Sequence, residues 1–301
     1  MMHGRDTASC CRCGLPEDTL RNWLIEVTSC VILAVHFRRF VVDISSYTDN
    51  LAAKGRCHFT TEEAVAALGS SPVAARAAIR RLREKGRLAT PFRGFHLIIP
   101  PEYRALGCLP AEQFVPLLME HLGQVYYAGL LTAASLHGAA HQAPMVFQSV
   151  VAENRPEIRC GRVRVEFVAR ANVGEIPTLQ KNTLRGVLRY STLEATAFDL
   201  AGYPAHAGGL SNVATILCEL VEGMDAAKLL AETARSPLPW SQRLGYLLER
   251  VGAASLAAPL AAHVSFRVKE YVPLRPRKSI ARASRDSRWR LIVNEEVETD
   301  L

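Results

Sequence analysis

From Phe59 to Pro100 the spacing of apolar positions changes several times, and each change marks an element. Thr60 and Glu63 stand at capping-box spacing, so hydroxyl and carboxylate can satisfy the orphan amides that open a helix. That helix is expected over Thr61–Leu68 and ends at Gly69, the residue best suited to a left-handed cap. Ser70 and Ser71 precede Pro72, which fits a first helical turn because its missing N–H costs nothing there. In the second helix, Pro72 to Lys85, the residues Ala75, Ile79 and Leu82 form one apolar stripe at 3.6-residue spacing. After Gly86, Arg87–Thr90 and Phe95–Ile99 read as two strands around Pro91-Phe92-Arg93-Gly94. A supporting helix is expected ahead of these, from Asp43 through Leu51 to Gly55. Helix, helix, tight turn, helix and hairpin make a winged helix-turn-helix.

Pro100-Pro101 then marks a boundary, since consecutive prolines disfavour both helix and ladder. Beyond it, Ala111–Leu122 and Tyr126–Leu136 read as helices, and Met145–Val151 as a β-rich run. Arg162–Val168 alternates with period two, as a half-buried strand does. Val187–Tyr190 is a further strand, and Ser191 with Glu194 forms a second capping box for a helix ending at Gly202. Helices are also expected over Leu210–Val221, Ala226–Ala234 and Trp240–Val251, and a last strand over Arg288–Asn294. The fold class is therefore α+β, a winged helix-turn-helix over 42–104 followed by a mixed α/β domain over 105–301. At 301 residues the chain has room for both.

Charge sharpens the first half. The net charge of +7 favours an anionic partner. On the second helix Arg80 points away from the apolar stripe, with Arg76 and Arg83 on one flank and Arg81 on the other. From Pro72 to Arg93 the only acid is Glu84, whereas a merely solvated face interleaves both signs. The residues expected at duplex DNA are Ser70, Ser71, Arg76, Arg80, Arg81, Arg83 and Arg93. A second basic stretch, with Arg275, Arg277, Lys278, Arg282 and Arg285, reads equally as further nucleic-acid contact or as a solvated surface.

The chemistry-bearing residues form no catalytic set. His137 and His141 have zinc-helix spacing, but Gly138 stands where a metalloprotease needs its glutamate. Glu166 is followed by Phe167 and Val168 instead of the x-lysine of a metal nuclease, and Glu194 and Asp199 are read as structural. Cys10, Cys11 and Cys13, even with His3, lack the second ligand pair of a zinc knuckle. The expectation is no enzyme, no cofactor and no metal. Scattered cysteines suit reduced thiols in a cytoplasm, and the apolar run Trp23–Phe37 is too short to span a bilayer.

Several stretches together resemble the AbiEi-type antitoxins of bacterial type IV toxin–antitoxin systems. They include Lys54–Ala64, Ser71–Leu82, Pro100–Gly107, Tyr126–Gln142, Ser191–Leu200 and Trp289–Asn294, of which Tyr126–Gln142 is the most specific. The resemblance implies a winged helix that represses its own operon at promoter inverted repeats. It also implies a second domain that counters a co-encoded nucleotidyltransferase toxin, without a stable complex. The alternative is a winged-helix regulator whose second domain senses a small molecule. Residues 1–41 share neither the periodicity nor the resemblance. They are expected to be an extension upstream of a start at Val41 or Val42.

Overall fold

The computed structural model describes residues 43–139 and 145–298. His3, the cysteines at 10, 11 and 13, the run Trp23–Phe37, the expected start at Val41 or Val42, and His141 lie outside these residues.

Helix α1 (Ile44–Ala53) opens on the Asp43 side chain, which accepts from the Ser45 amide. Strand β1 (His58–Thr60) leads into α2 (Thr61–Leu68), and Thr60 and Glu63 form the expected capping box, with N···O distances of 2.9 and 3.1 Å. Gly69 takes the left-handed conformation, φ +56°. Ser71 caps α3 (Pro72–Glu84), whose buried stripe is Ala75, Ala78, Ile79 and Leu82. Strands β2 (Leu88–Phe92) and β3 (Phe95–Ile98) then form a hairpin closed by Arg93-Gly94, and the sheet order is β1-β3-β2. This is the winged helix the pattern predicts. Strand β1 was not expected, because three residues give no readable period.

The two faces of this sheet serve different cores. Phe59, Leu88 and Ile98 pack with Ile79 and Leu82 of α3. Cys57, Phe95, Leu97 and Ile99 pack instead with Phe114, Leu118, Val165 and Phe167 of the second domain. Alternation along β3 thus sends successive side chains to opposite layers, which is why Phe95, Leu97 and Ile98 are all apolar; only His96 is polar. Phe95 and Leu97 are fully buried, each worth about 1.5–3 kcal/mol against exposure. The winged helix is seated on its neighbour by its own sheet.

After a 3₁₀ turn at Pro101–Tyr103 comes α4 (Ala111–His121). The six-stranded sheet then contains β4 (Tyr126–Ala128), β5 (Phe147–Val151), β6 (Ile158–Cys160), β7 (Val163–Ala169), β8 (Thr178–Thr183) and β9 (Gly186–Ser191). Its order is β6-β7-β5-β4-β9-β8, parallel between β5 and β7 and between β4 and β9, antiparallel elsewhere. Helices α5 (Leu130–Leu136), α6 (Leu193–Gly202), α7 (Leu210–Leu220), α8 (Ala226–Glu232), α9 (Leu238–Arg250) and α10 (Ala254–Arg267) follow, five of them after the sheet. A small sheet of β10 (Val272–Pro273), β12 (Leu291–Val293) and β11 (Ser284–Asp286) ends the described chain.

Three expectations are corrected. Tyr126–Leu136 is not one helix: Tyr126–Ala128 is a central strand, and a Cβ on Gly129 would stand 2.6 Å from Val150 Cγ2. Paired aromatics fit a pleated surface, and the flanking strands settle the matter. Ser191 does not cap α6. It ends β9, Thr192 takes the cap, and Glu194 accepts from the Asp225 amide at 3.1 Å. Helix α10 was not expected, since Pro259 interrupts its hydrogen-bond ladder and its helical face is weakly patterned.

Candidate nucleic-acid interface

A groove of about 470 Å³ lies between α3, the start of α2 and the wing. Arg76, Arg80 and Arg83 line it from α3 and Arg93 from the wing tip. Spacing explains the convergence: residues 76, 80 and 83 share one flank of a 3.6-residue helix, and the two-residue hairpin loop carries Arg93 across to meet them. All four side chains are exposed. Arg76, Arg83 and Arg93 have no ion pair with a described residue, and Arg80 has only a 3.9 Å contact to Glu84 between exposed groups. Among the described residues Glu62 is the one acid in the wall.

The groove floor is His96, buried on β3. Thr61 Oγ1 lies 3.0 Å from its Nε2 and Thr90 Oγ1 3.0 Å from its Nδ1, so both ring nitrogens are satisfied. Burial, with the field of Arg83, lowers its pKa to about 4. The imidazole is therefore a neutral spacer that fixes α2 against the wing.

The other expected residues sit elsewhere. Ser71 Oγ accepts the Ala74 amide at 3.2 Å and is spent on the cap. The Ser70 hydroxyl oxygen is buried, without a hydrogen-bond partner among the described residues, and Ser70 is not part of the groove wall. Arg81 is exposed on the far flank of α3. A residue the pattern reading passed over is Val73, 70% exposed beside the opening turn of α3. An exposed β-branched residue among arginines is the signal that marks it.

The second basic stretch is organised differently. Arg275 makes two contacts to Glu295, at 2.7 and 2.9 Å, and Lys278 a third at 3.0 Å. Arg285 and Arg290 lie over the Tyr271 ring, and Arg288 pairs with Glu249.

Deeper in the second domain, Arg170 forms a buried hub. Its Nη1 donates to Asp199 Oδ1 at 2.6 Å, its Nη2 to Ser236 Oγ and the Arg235 carbonyl, and its guanidinium lies over Trp240. The Tyr127 hydroxyl donates to Asp199 Oδ2 at 2.9 Å. Burial pushes the Asp199 carboxyl up to about 6, with Arg170 opposing the shift. Arg170, Asp199 and Tyr127 are all buried. Glu166, by contrast, is half-buried and accepts from Gln148 and pairs with His206 Nδ1 at 2.8 Å. His137 contacts the Ser191 carbonyl through Nε2 at 2.8 Å and closes the end of α5. Among the described residues no group of three His, Cys, Asp or Glu is placed to hold a metal ion, and no helix is long and apolar enough to cross a membrane.

Comparison with known proteins adds to this geometry. Residues 48–98, the winged helix, match a family model described as a transcriptional regulator, AbiEi antitoxin. Residues 127–250 match one described as the AbiEi antitoxin C-terminal domain. No curated protein matches the sequence. A solved structure of similar fold is the crystal structure of RV2827C protein from Mycobacterium tuberculosis. The two share 21% identity at a TM-score of 0.59, over 88% of this chain and 93% of that one.

Proposed function

The chain belongs to the AbiEi antitoxin family, and from that premise we propose that it is the antitoxin of a type IV toxin–antitoxin system and represses its own operon. The observation that carries the DNA half is the convergence of Arg76, Arg80, Arg83 and Arg93 on one groove, with only the 3.9 Å Arg80–Glu84 contact pairing any of them among the described residues. In this reading α3 enters the major groove at promoter inverted repeats. Arg76 and Arg80 approach base edges, and Arg93 holds phosphate beside them. The side chain of Val73 is placed to meet a thymine methyl. The test is binding of a labelled promoter fragment by the wild type and by an Arg76→Ala/Arg80→Ala variant of unchanged circular dichroism. Equal affinities would overturn the assignment.

The second domain, 105–301, is proposed to counter a co-encoded nucleotidyltransferase toxin in the cytoplasm, by binding or regulation and not by catalysis. Its arginine–aspartate hub is buried, and among the described residues no group of three His, Cys, Asp or Glu is placed to hold a metal ion. Co-expression with the neighbouring gene tests this: the full chain restores growth, and a fragment ending near Pro101 does not. Full rescue by that fragment would refute the division of labour.

A further inference from the structure

The seam between the winged helix and the second domain contains two thiols that the proposed function leaves idle. Leu106 and Gly107 meet the turn between β6 and β7 in antiparallel sense. The Arg162 amide donates to the Leu106 carbonyl at 2.8 Å, and one step along the same register Gly107 meets Gly161. A Cβ on Gly161 would stand 2.3 Å from Leu106 O and 2.8 Å from Gly107 Cα, so only glycine permits this approach. Carried one step further, the same register sets Cys108 opposite Cys160. Opposed residues on antiparallel chains have Cα atoms about 4.5–5.5 Å apart, inside the roughly 4.4–6.8 Å that a disulfide spans. Both thiols are free and buried, and each is the other's first electrostatic influence.

We infer that Cys108 and Cys160 form an oxidation site that a peroxide closes to an intramolecular disulfide, with Cys160 the first sulfur to react. Cys160 is the more accessible of the two, 7% against 0% exposed. Cys108 and the field of Arg83 favour the Cys160 thiolate, while Cys160 and burial push the Cys108 thiol up. In the first step the Cys160 thiolate attacks an oxygen of hydrogen peroxide. An S–O bond forms, the O–O bond breaks, and the departing hydroxide takes a proton to become water. The Cys108 sulfur then attacks the sulfenic sulfur: the S–S bond forms, the S–O bond breaks, and the oxygen leaves as a second water with the Cys108 proton. The thiols together lose two electrons and two protons. Because Cys160 lies on β6, which packs against β2, the strand that carries the wing, oxidation is registered where the DNA groove is built.

The inference does not depend on DNA binding, and its test does not measure it. The reduced full-length protein is exposed to hydrogen peroxide, unfolded, blocked with iodoacetamide, digested and weighed. The peptides carrying Cys108 and Cys160 should be recovered joined, two hydrogen atoms lighter than their sum, and should separate after dithiothreitol. In Cys108→Ser, Cys160 should stop at the sulfenic acid and take up dimedone, whereas Cys108 in Cys160→Ser should not. Should a serine variant fail to fold, the wild-type cross-link still decides. Both cysteines recovered alkylated at every dose that preserves the fold, or either joined to a different cysteine, would overturn the inference.

Discussion

Arginine is used in two opposite ways in this molecule. On α3 and the wing, Arg76, Arg83 and Arg93 project into an open groove with no ion-pair partner among the described residues. In the second domain Arg170 is 3% exposed at its side chain, and every direction its guanidinium faces is answered by Asp199, Tyr127, Asn172, Ser236, the Arg235 carbonyl or the Trp240 ring. The difference teaches that local positive charge is a poor guide to a binding surface. What separates the two is internal satisfaction. A guanidinium whose donors are already matched gains little from a ligand, whereas one held open on a helix face gains the whole contact.

The sharpest way to break that contrast is to remove Arg170. Asp199 would then be a fully buried carboxylate without a counter-charge, and such a loss costs about 3–5 kcal/mol. Denaturant unfolding of Arg170→Met at neutral pH should show it, and adding Asp199→Leu should recover part. A loss below about 1 kcal/mol would mean that the hub does not hold the domain.

The next effect belongs to His96 and is read through pH. The unfolded chain takes up this proton near pH 6.5, but the folded imidazole does so only at about 4. Its contribution is therefore complete above pH 6.5 and is lost as pH falls towards 4. The shift corresponds to at most about 3 kcal/mol. His96→Gln, which keeps a donor and an acceptor, should flatten the stability profile in that window. NMR titration of the wild-type ring with a midpoint near 6.5 would contradict the neutral-spacer role.

How much of this was legible beforehand follows the range of the interactions concerned. The winged helix is written in local signals: Asp43, Thr60 with Glu63, Gly69 and Ser71-Pro72 each mark a boundary within a turn of themselves, and the basic flank of α3 follows from helical spacing. The second domain depends on distant partners. Tyr126–Ala128 becomes a strand because β5 and β9 lie beside it, and Glu194 leaves its expected cap for the Asp225 amide. Arg170 carried no signal, since its partners Tyr127, Asp199 and Arg235 are separated from it by 29 to 65 positions. The site was partly legible for a similar reason. Helical periodicity placed Arg76, Arg80 and Arg83 together, but not the burial of the Ser70 hydroxyl or the Ser71 cap.

Smaller in stability, and larger in binding, is the groove itself. Replacing exposed Arg80 by Ala should change unfolding by no more than about 0.5 kcal/mol, because its one contact, to Glu84, joins two exposed groups. Operator binding should weaken by about 1–3 kcal/mol if the guanidinium forks onto a base edge. Replacing Arg93 should weaken all duplexes alike and lower the salt slope by about one phosphate's share. A fold loss on the scale of the Arg170 variant would erase the distinction between open and satisfied arginines.

The smallest effect is expected where positive charge is abundant but answered. Arg275 and Lys278 both hold Glu295, and each is about half exposed, at 41% and 50%. Pairs of this kind contribute about 0–1 kcal/mol, so a double alanine variant should unfold close to the wild type. The more telling measurement is its promoter binding. With its donors spent on Glu295, this stretch should leave the operator affinity and its salt dependence where they were, although it rivals α3 in basic residues. A fall in affinity equal to that of the groove variants would show that a carboxylate partner does not withdraw an arginine from DNA, and charge alone would then define the interface.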